Sequence, residues 1–283
     1  MSKFLSSPRA NISQDSVTSL AIGKFDGMHL AHLKLLENLK DRGAILCIQT
    51  NEEKALTPAD SKEQYTNIPF FYLKLESIKN LSGKEFVEFL CASFPNLRSI
   101  VVGYDFRFGK DREFGASDLG FLLPNKEVKI FKEFCINDMG VHSSLIKEFI
   151  ALGNMKIANA LLGRTYSIFG KSVKGQNLGS KELYATINID SGQYFLPQNG
   201  VYATFSEFEG KRYKSVSFVG NRLSTDRHFS VESHILDSVI DFLPTYLGVF
   251  FVQKIRNNEH FHNLSQLKNQ ISKDIDKARE ILS

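Results

Sequence analysis

The sequence predicts two domains of different class: an α/β domain with a parallel sheet, then an antiparallel β-barrel or sandwich finished by a C-terminal helix. Three observations carry this. Short apolar runs alternate with helix-period segments through the first half of the chain. From Tyr166 to about Arg256 the texture becomes short strands of alternating polarity. The last residues then carry one apolar stripe at helical spacing. At 283 residues the chain has room for both domains, and the boundary falls near Leu161–Arg164, giving 1–160 and 161–283.

Ser19 to Ile22 reads as the first buried strand. It runs into the loop Gly23-Lys24-Phe25-Asp26-Gly27-Met28 and then a helix marked by Leu30, Leu33, Leu36 and Leu39. Ala44 to Ile48 is the next strand. Ser82-Gly83-Lys84-Glu85 has capping-box spacing and opens a helix carrying Phe86, Phe89 and Leu90. Ser99 to Val102 is a further strand, ending at Gly103. Strands separated by helices imply a parallel sheet whose ligands lie beyond the strands' carboxyl ends. Asn154 to Leu162 reads as a helix with an Asn cap before it and Gly163 after it. In Leu183-Tyr184-Ala185-Thr186-Ile187-Asn188-Ile189 the odd-numbered residues are apolar and face a core, while Tyr184, Thr186 and Asn188 share the other face. Leu264, Leu267, Ile271, Ile275, Ala278 and Leu282 mark the closing helix.

Composition bounds the function. Hydrophobic residues are 42% and charged residues 23%, a globular balance. The 24 Phe and absent Trp mean that aromatic surfaces come from Phe and Tyr. The net charge of +4 is mild and interspersed, which suits small anionic ligands and gives no case for a nucleic-acid groove. Cys47, Cys91 and Cys135 are odd in number and widely spaced, which argues against a disulfide framework or zinc site and fits a reducing cytoplasm. The N-terminus lacks a signal-peptide apolar stretch, and runs such as Val249-Phe250-Phe251-Val252 are too short for a bilayer, so the expectation is a soluble cytoplasmic protein without membrane partners.

The strongest chemical signal is the loop at Gly23 with His29 and His32 after it. A strand that restarts as a helix presents backbone N–H groups at the helix's positive end, a ready phosphate site. Histidines three apart both point from the first turn, where they suit charge developing on an α-phosphate and leaving pyrophosphate. The same residues also read as a tight turn with two surface histidines. Asp105-Phe106-Arg107-Phe108 reads alone as a strand end with core aromatics. Val141-His142-Ser143-Ser144-Leu145-Ile146-Lys147 offers hydroxyls and a cation for a polyphosphate, or a capped helix with a solvated Lys. Glu232 shares a strand face with His234 and reads alone as an exposed strand carboxylate.

Taken in order, these segments resemble the motifs of bacterial bifunctional riboflavin kinase/FAD synthetases. Gly23 to His32 resembles the family's GNFDGxHxGH signature, and Val101 to Gly109 its GxDFxFG segment. Val141 to Lys147 stands where the family has a Ser-Ser-Thr-Arg-Ile-Arg run. Gly175 to Asn188 resembles GxxxGxxxGxPTAN, Asn199 to Ala203 GVYA, Phe229 to Asp237 VExHxxD, and Lys254-Ile255-Arg256 with Phe261 the following IRxxxxF run. The resemblance runs from about Ser19 to the last helix. It implies a Rossmann-like nucleotidyltransferase domain followed by a riboflavin-kinase-like barrel, making FMN from riboflavin and FAD from FMN with ATP and Mg²⁺. The implied roles put His29 and His32 on the adenylyl-transfer phosphates. Gly23, Phe25, Asp26, Gly27, Ser143, Ser144, Lys147, Gly175, Gly179 and Asn188 then contact nucleotide, and Asp105, Phe106, Phe108 and Arg256 contact flavin. Thr186 and Asn188 hold Mg²⁺, and Glu232 is the kinase base.

The chain departs from the pattern at several points. Lys24 and Ala31 replace Asn and Gly, Leu145 replaces an Arg, and Asn51 to Ala55 lacks the Phe and Pro residues of a flavin-covering flap. In the second domain the basic residue before Gly179 is absent, Leu183 replaces a Gly, and Ala185 replaces the Pro. Two other readings stay open at this point: one activity retained, with adenylyl transfer favoured, or a flavin- or nucleotide-binding sensor without turnover. The oligomeric state is not legible.

Overall fold

In the computed structural model, which describes residues 5–6, 12–51, 54–173, 184–222, 229–238, 240 and 242–283, the chain forms two units, Met1–Ser143 and Ser144–Ser283. The first contains, in chain order, β1 (Leu5–Ser6), β2 (Ser19–Gly23), α1 (Leu30–Leu36), β3 (Gly43–Gln49), α2 (Ala59–Lys62), β4 (Phe70–Lys74), α3 (Gly83–Ser93), β5 (Ser99–Gly103), β6 (Arg107–Phe108), β7 (Phe114–Gly115), α4 (Asp118–Leu122), β8 (Glu127–Phe131), β9 (Cys135–Ile136) and β10 (Met139–Gly140).

The main sheet has the order β1-β4-β3-β2-β5-β8, with every pair parallel except β1 on β4. Its central strands β2, β3, β4 and β5 are mostly buried, as a covered parallel sheet requires, whereas the edge strand β8 is largely exposed. On one face Leu20, Ile22, Leu46, Ile100 and Val102 pack against Phe86, Val87 and Leu90 of α3. On the other, Ala21, Ile45, Cys47 and Val101 pack with Leu35 and Leu36 of α1. The capping box forms as expected: Glu85 N–H donates to Ser82 Oγ at 3.3 Å and Ser82 N–H to Glu85 Oε2 at 2.8 Å. The Ser82 N–H and the Ser82 hydroxyl, both donating to the carboxylate, hold the Glu85 carboxyl below its ordinary range.

Helix α1 stops at Leu36, short of the expected Leu39. Asn38 ends it, donating through Nδ2 to Lys34 O at 2.9 Å and Leu35 O at 3.0 Å. Its start also differs. His29 is the N-cap rather than a first-turn residue, and its Nδ1 lies 3.4 Å from the His32 N–H.

The second unit opens with α5 (Ser143–Ala151), whose first residue belongs to the first unit, and α6 (Met155–Leu162). Asn154 caps α6, and Gly163 follows at φ 71°, a left-handed position that glycine takes without a Cβ clash. Strands β11 (Tyr166–Val173), β12 (Ile187–Ile189), β13 (Gly200–Phe208), β14 (Lys211–Asn221), β15 (Phe229–Ile235) and β16 (Tyr246–Asn257) precede α7 (Leu264–Ile281). The strands close into a barrel ordered β11-β12-β15-β14-β13-β16, every pair antiparallel. Closure removes the open edges that a sandwich would keep.

The barrel interior is partly polar. The hydroxyls of Thr204, Ser215, Ser206, Ser233 and Ser217, all fully buried, bond in a closed cycle with separations of 2.6–3.0 Å. A cycle lets each hydroxyl donate once and accept once, so none is left unsatisfied.

Two expectations need correction here. Of the strand foreseen over 183–189, Leu183 lies outside the described residues and the ladder takes in only β12, with the Ala185 carbonyl bonded to His234 Nδ1 at 2.7 Å. Asn188 is buried along with Ile187 and Ile189, so both faces of β12 are covered. On α7, Ile275, Ala278 and Leu282 are buried, but Leu264 is exposed because the contact with the barrel is made by the later turns.

Candidate active sites

The first site grows from sheet order. β3 and β4 lie to one side of β2, and β5 and β8 to the other. Ligands of open α/β sheets bind at the carboxyl ends of strands flanking such a reversal. The two strongest motifs of the first domain follow β2 and β5, which pair directly.

The loop after β2 is a backbone device. Phe25, Gly27 and Met28 have φ of 51°, 87° and 40°. Left-handed non-glycine residues cost about 1–3 kcal/mol each and persist where surroundings over-determine them. Here Phe25 and Met28 are buried. Polar anchors hold the rest. Thr57 N–H donates to Asp26 Oδ1 at 3.1 Å, and Ser143 Oγ donates to Asp26 O at 2.7 Å. The buried Lys62 donates through Nζ to Lys24 O at 2.8 Å and lies 3.4 Å from Cys47 Sγ. Burial pushes the Cys47 thiol up, against the opposing pull of Lys62.

His29 is 3% exposed, so it is not a surface histidine. Its ring stacks on His32 with centroids 3.6 Å apart and an interplanar angle of 16°, and Phe25 lies 5.1 Å from His32. With Nδ1 facing the His32 N–H as acceptor, the neutral His29 ring carries its proton on Nε2. Gly23 ends β2 directly beside this group.

Beyond β5, Tyr104 and Asp105 line an open groove with Arg107, Arg112 and Asp118. Phe106 is half-buried, and Phe108 is 5% exposed in the core, near Phe86 and Phe114 at ring distances of 5.5 Å. Asp105 thus reaches the groove while Phe108 supports it from the core. Hydrogen bonds from His142 and Tyr104 hold Glu133 below the usual carboxylate range. Ser144 is exposed, and Lys147 lies with Nζ 5.9 Å from the Phe195 ring within the second unit.

The second site is assembled by strand register. β12 pairs with β15 so that Asn188 faces Glu232 across the ladder. Thr186 Oγ1 donates to Glu232 Oε2 at 3.1 Å, and Ser230 Oγ donates to Glu232 Oε1 at 2.8 Å. Arg222, just past the end of β14, donates through Nε to Glu232 Oε1 and through Nη2 to Asn188 Oδ1 at 3.0 Å. The Arg222 and Glu232 side chains are 19% and 18% exposed. The structure therefore brings the neighbouring pair Thr186 and Asn188 together with the distant Glu232.

Arg256 does not join them. It grips the 3%-exposed Asp274 of α7, Nε at 3.0 Å and Nη2 at 2.9 Å, with Phe261 against the guanidinium. That pair ties the last strand to the closing helix. Gly175 and Gly179 lie outside the described residues.

Sequence reasoning missed Lys62, Arg222 and Ser230. Ser230 had a usable signal, two residues before Glu232 on the same face of a strand. Lys62 and Arg222 had no local signal, since their partners are set by sheet pairing.

Among the described residues no group of three or more His, Cys, Asp or Glu could hold a metal ion, and no helix is long and apolar enough to cross a membrane.

Comparison with known proteins covers both units. The family described as "Flavokinase: Riboflavin kinase" matches residues 162–282. A "Bifunctional riboflavin kinase/FMN adenylyltransferase" of Buchnera aphidicola (Schizaphis graminum strain) is 30% identical, over 93% of this chain and 93% of its own. The Escherichia coli K12 protein of the same description is 27% identical, over 92% and 91%. A crystal structure described as "Macrolide-efflux Protein from Streptococcus pneumoniae" superposes with a TM-score of 0.83 at 25% identity, covering 95% of this chain and 96% of its own.

Proposed function

The chain belongs to the bifunctional riboflavin kinase/FMN adenylyltransferase family, and from that premise we propose that it makes FAD in two ATP-dependent steps at two separate sites. The barrel phosphorylates riboflavin to FMN, and the sheet unit adenylylates FMN to FAD. The observation that carries the site assignment is the convergence of Thr186, Ser230 and Arg222 on Glu232, with Asn188 alongside.

In the kinase step Glu232 accepts the proton of the ribityl 5′-hydroxyl as that oxygen attacks the γ-phosphorus of ATP. The new O–P bond forms as the bond to the β-phosphate oxygen breaks, and ADP leaves. Thr186 and Asn188 supply oxygen donors, which fit Mg²⁺ bound with nucleotide phosphates and water. When bound, the ion neutralises phosphate charge; these two residues would hold it.

In the transfer step an FMN phosphate oxygen attacks the α-phosphorus of ATP, and pyrophosphate leaves. That phosphate is already ionised, so no protein base is needed. The Gly23–Gly27 backbone, His29 and His32 bind phosphate and meet the developing charge. Ser143, Ser144 and Lys147 serve the nucleotide, and Asp105 and Phe106 the flavin. Catalytic domains dividing near 160, where the riboflavin kinase match begins at residue 162, and a cytoplasmic location complete the reading.

The test is turnover. Purified protein given riboflavin, ATP and Mg²⁺ forms both FMN and FAD, separated by chromatography. Glu232→Gln lowers FMN formation by about 10²–10⁴, the usual worth of a general base, and leaves FMN-to-FAD conversion in place. His29→Ala does the reverse. A folded variant of either kind that loses both steps equally overturns the two-site assignment.

A further inference from the structure

Glu232 carries more hydrogen bonds than a base needs. Both carboxylate oxygens accept, Oε2 from Thr186 and Oε1 from Ser230 and Arg222. Two of these donors act on the carboxylate alone. Arg222 differs, because its second arm reaches Asn188 Oδ1 at 3.0 Å. One planar group therefore spans the proton-accepting residue on β15 and the nucleotide-side residue on β12. A guanidinium presents its N–H groups in a rigid fork, so two partners gripped by one fork are held at a fixed separation and angle.

The fold leaves Arg222 well placed for this. The β14–β15 pairing runs to Asn221 opposite Phe229, so Arg222 leaves the ladder at its last rung. Glu232 sits three rungs inside, opposite Phe218, and Asn188 faces it from the other side. The arginine thus folds back over the ends of three neighbouring strands.

We propose that Arg222 is the positioning residue of the kinase site, tying the base Glu232 to Asn188 so that hydroxyl and nucleotide meet in line. This rests on the reading of Glu232 as the base. A near-attack geometry is sensitive to displacements of an ångström, so loosening the tie lowers kcat more than it weakens riboflavin binding. Arg222, Glu232 and Asn188 all belong to the second unit, and FMN-to-FAD conversion by the same protein is an internal control of folding and activity.

The experiment measures FMN formation, FMN-to-FAD conversion and Tm for Arg222→Ala, Arg222→Gln, Arg222→Lys and Glu232→Gln in the full chain. Arg222→Ala lowers kcat for FMN formation by about tenfold or more with KM for riboflavin moved about threefold at most, and millimolar guanidinium recovers several-fold of the loss. Arg222→Lys recovers only part, because a point charge cannot grip both partners. Should Arg222→Ala fail to fold, Arg222→Gln carries the same kcat and KM expectation. The inference is overturned if both variants keep kcat within about threefold of the parent, or if kcat falls and neither guanidinium nor Arg222→Lys restores any of it. Should Glu232→Gln keep FMN formation, the base assignment itself fails, an outcome distinct from the failure of the tie.

Discussion

In the sheet unit the proposed site is a run of backbone: ten consecutive positions from Gly23 to His32, bent by positive φ at Phe25, Gly27 and Met28 and fixed by buried side chains beneath. In the barrel unit it is a set of side chains brought from far apart. Thr186 and Glu232 are 46 positions apart, and Asn188 and Arg222 are 34. The first arrangement stores its precision in φ and ψ, the second in strand register and in individual donors. The difference teaches where each site should be fragile. Altered backbone freedom should damage the first, and loss of a single polar group the second.

Gly27 gives the largest test of that contrast. At φ 87° a β-branched side chain is a steric outlier. Gly27→Val should lower FMN-to-FAD conversion by about a hundredfold, the equivalent of ~2–3 kcal/mol of misplaced loop, while FMN formation is unchanged. Gly27→Asn, a residue that tolerates left-handed backbone, should retain much more activity. If valine and asparagine behave alike, the first site owes little to its backbone and the comparison breaks.

A smaller effect is expected at Lys62, the side chain that supports that backbone. Lys62→Met removes the bond to Lys24 O but also the cost of a buried ammonium. These oppose each other, so Tm should move little. The loop loses its anchor, and FMN-to-FAD conversion should fall by about tenfold. A large fall in Tm with unchanged transfer per folded molecule would assign Lys62 to stability alone.

The same contrast explains what the sequence made legible. The loop at Gly23 could be found because its chemistry is contiguous, and the α3 cap because Ser82 and Glu85 are three apart. Alternation correctly put Ile187 and Ile189 in a core. It did not show that Asn188, on the other face, is buried too, where Arg222 arrives from the end of β14. Phe108, which the resemblance puts on flavin, lies in the core beside Phe86 and Phe114, a contact that its motif does not show. Arg256 has a partner, Asp274, that only the closing helix reveals. Pattern within an element is readable; partners set by register are not.

The least effect should come from protonating a single side chain beside the barrel site. His234 packs against Tyr184 and bonds the Ala185 carbonyl next to Thr186. Burial pushes its imidazole below the ordinary range, with Arg279 adding to that and the Ala185 carbonyl opposing it. The unfolded chain takes up a proton near the usual value of about 6.5, before the folded chain does. The associated stability is therefore complete above that value and is lost as pH falls through it towards the folded value. His234→Asn keeps a donor for the carbonyl and removes the titration. Between about pH 7.5 and pH 5.5 the variant should lose less Tm than the parent, by a degree or two at most. An equal loss in both would mean that the segment holding Thr186 is insensitive to its neighbour's charge, and that the barrel site is less dependent on single side chains than its hydrogen bonds imply.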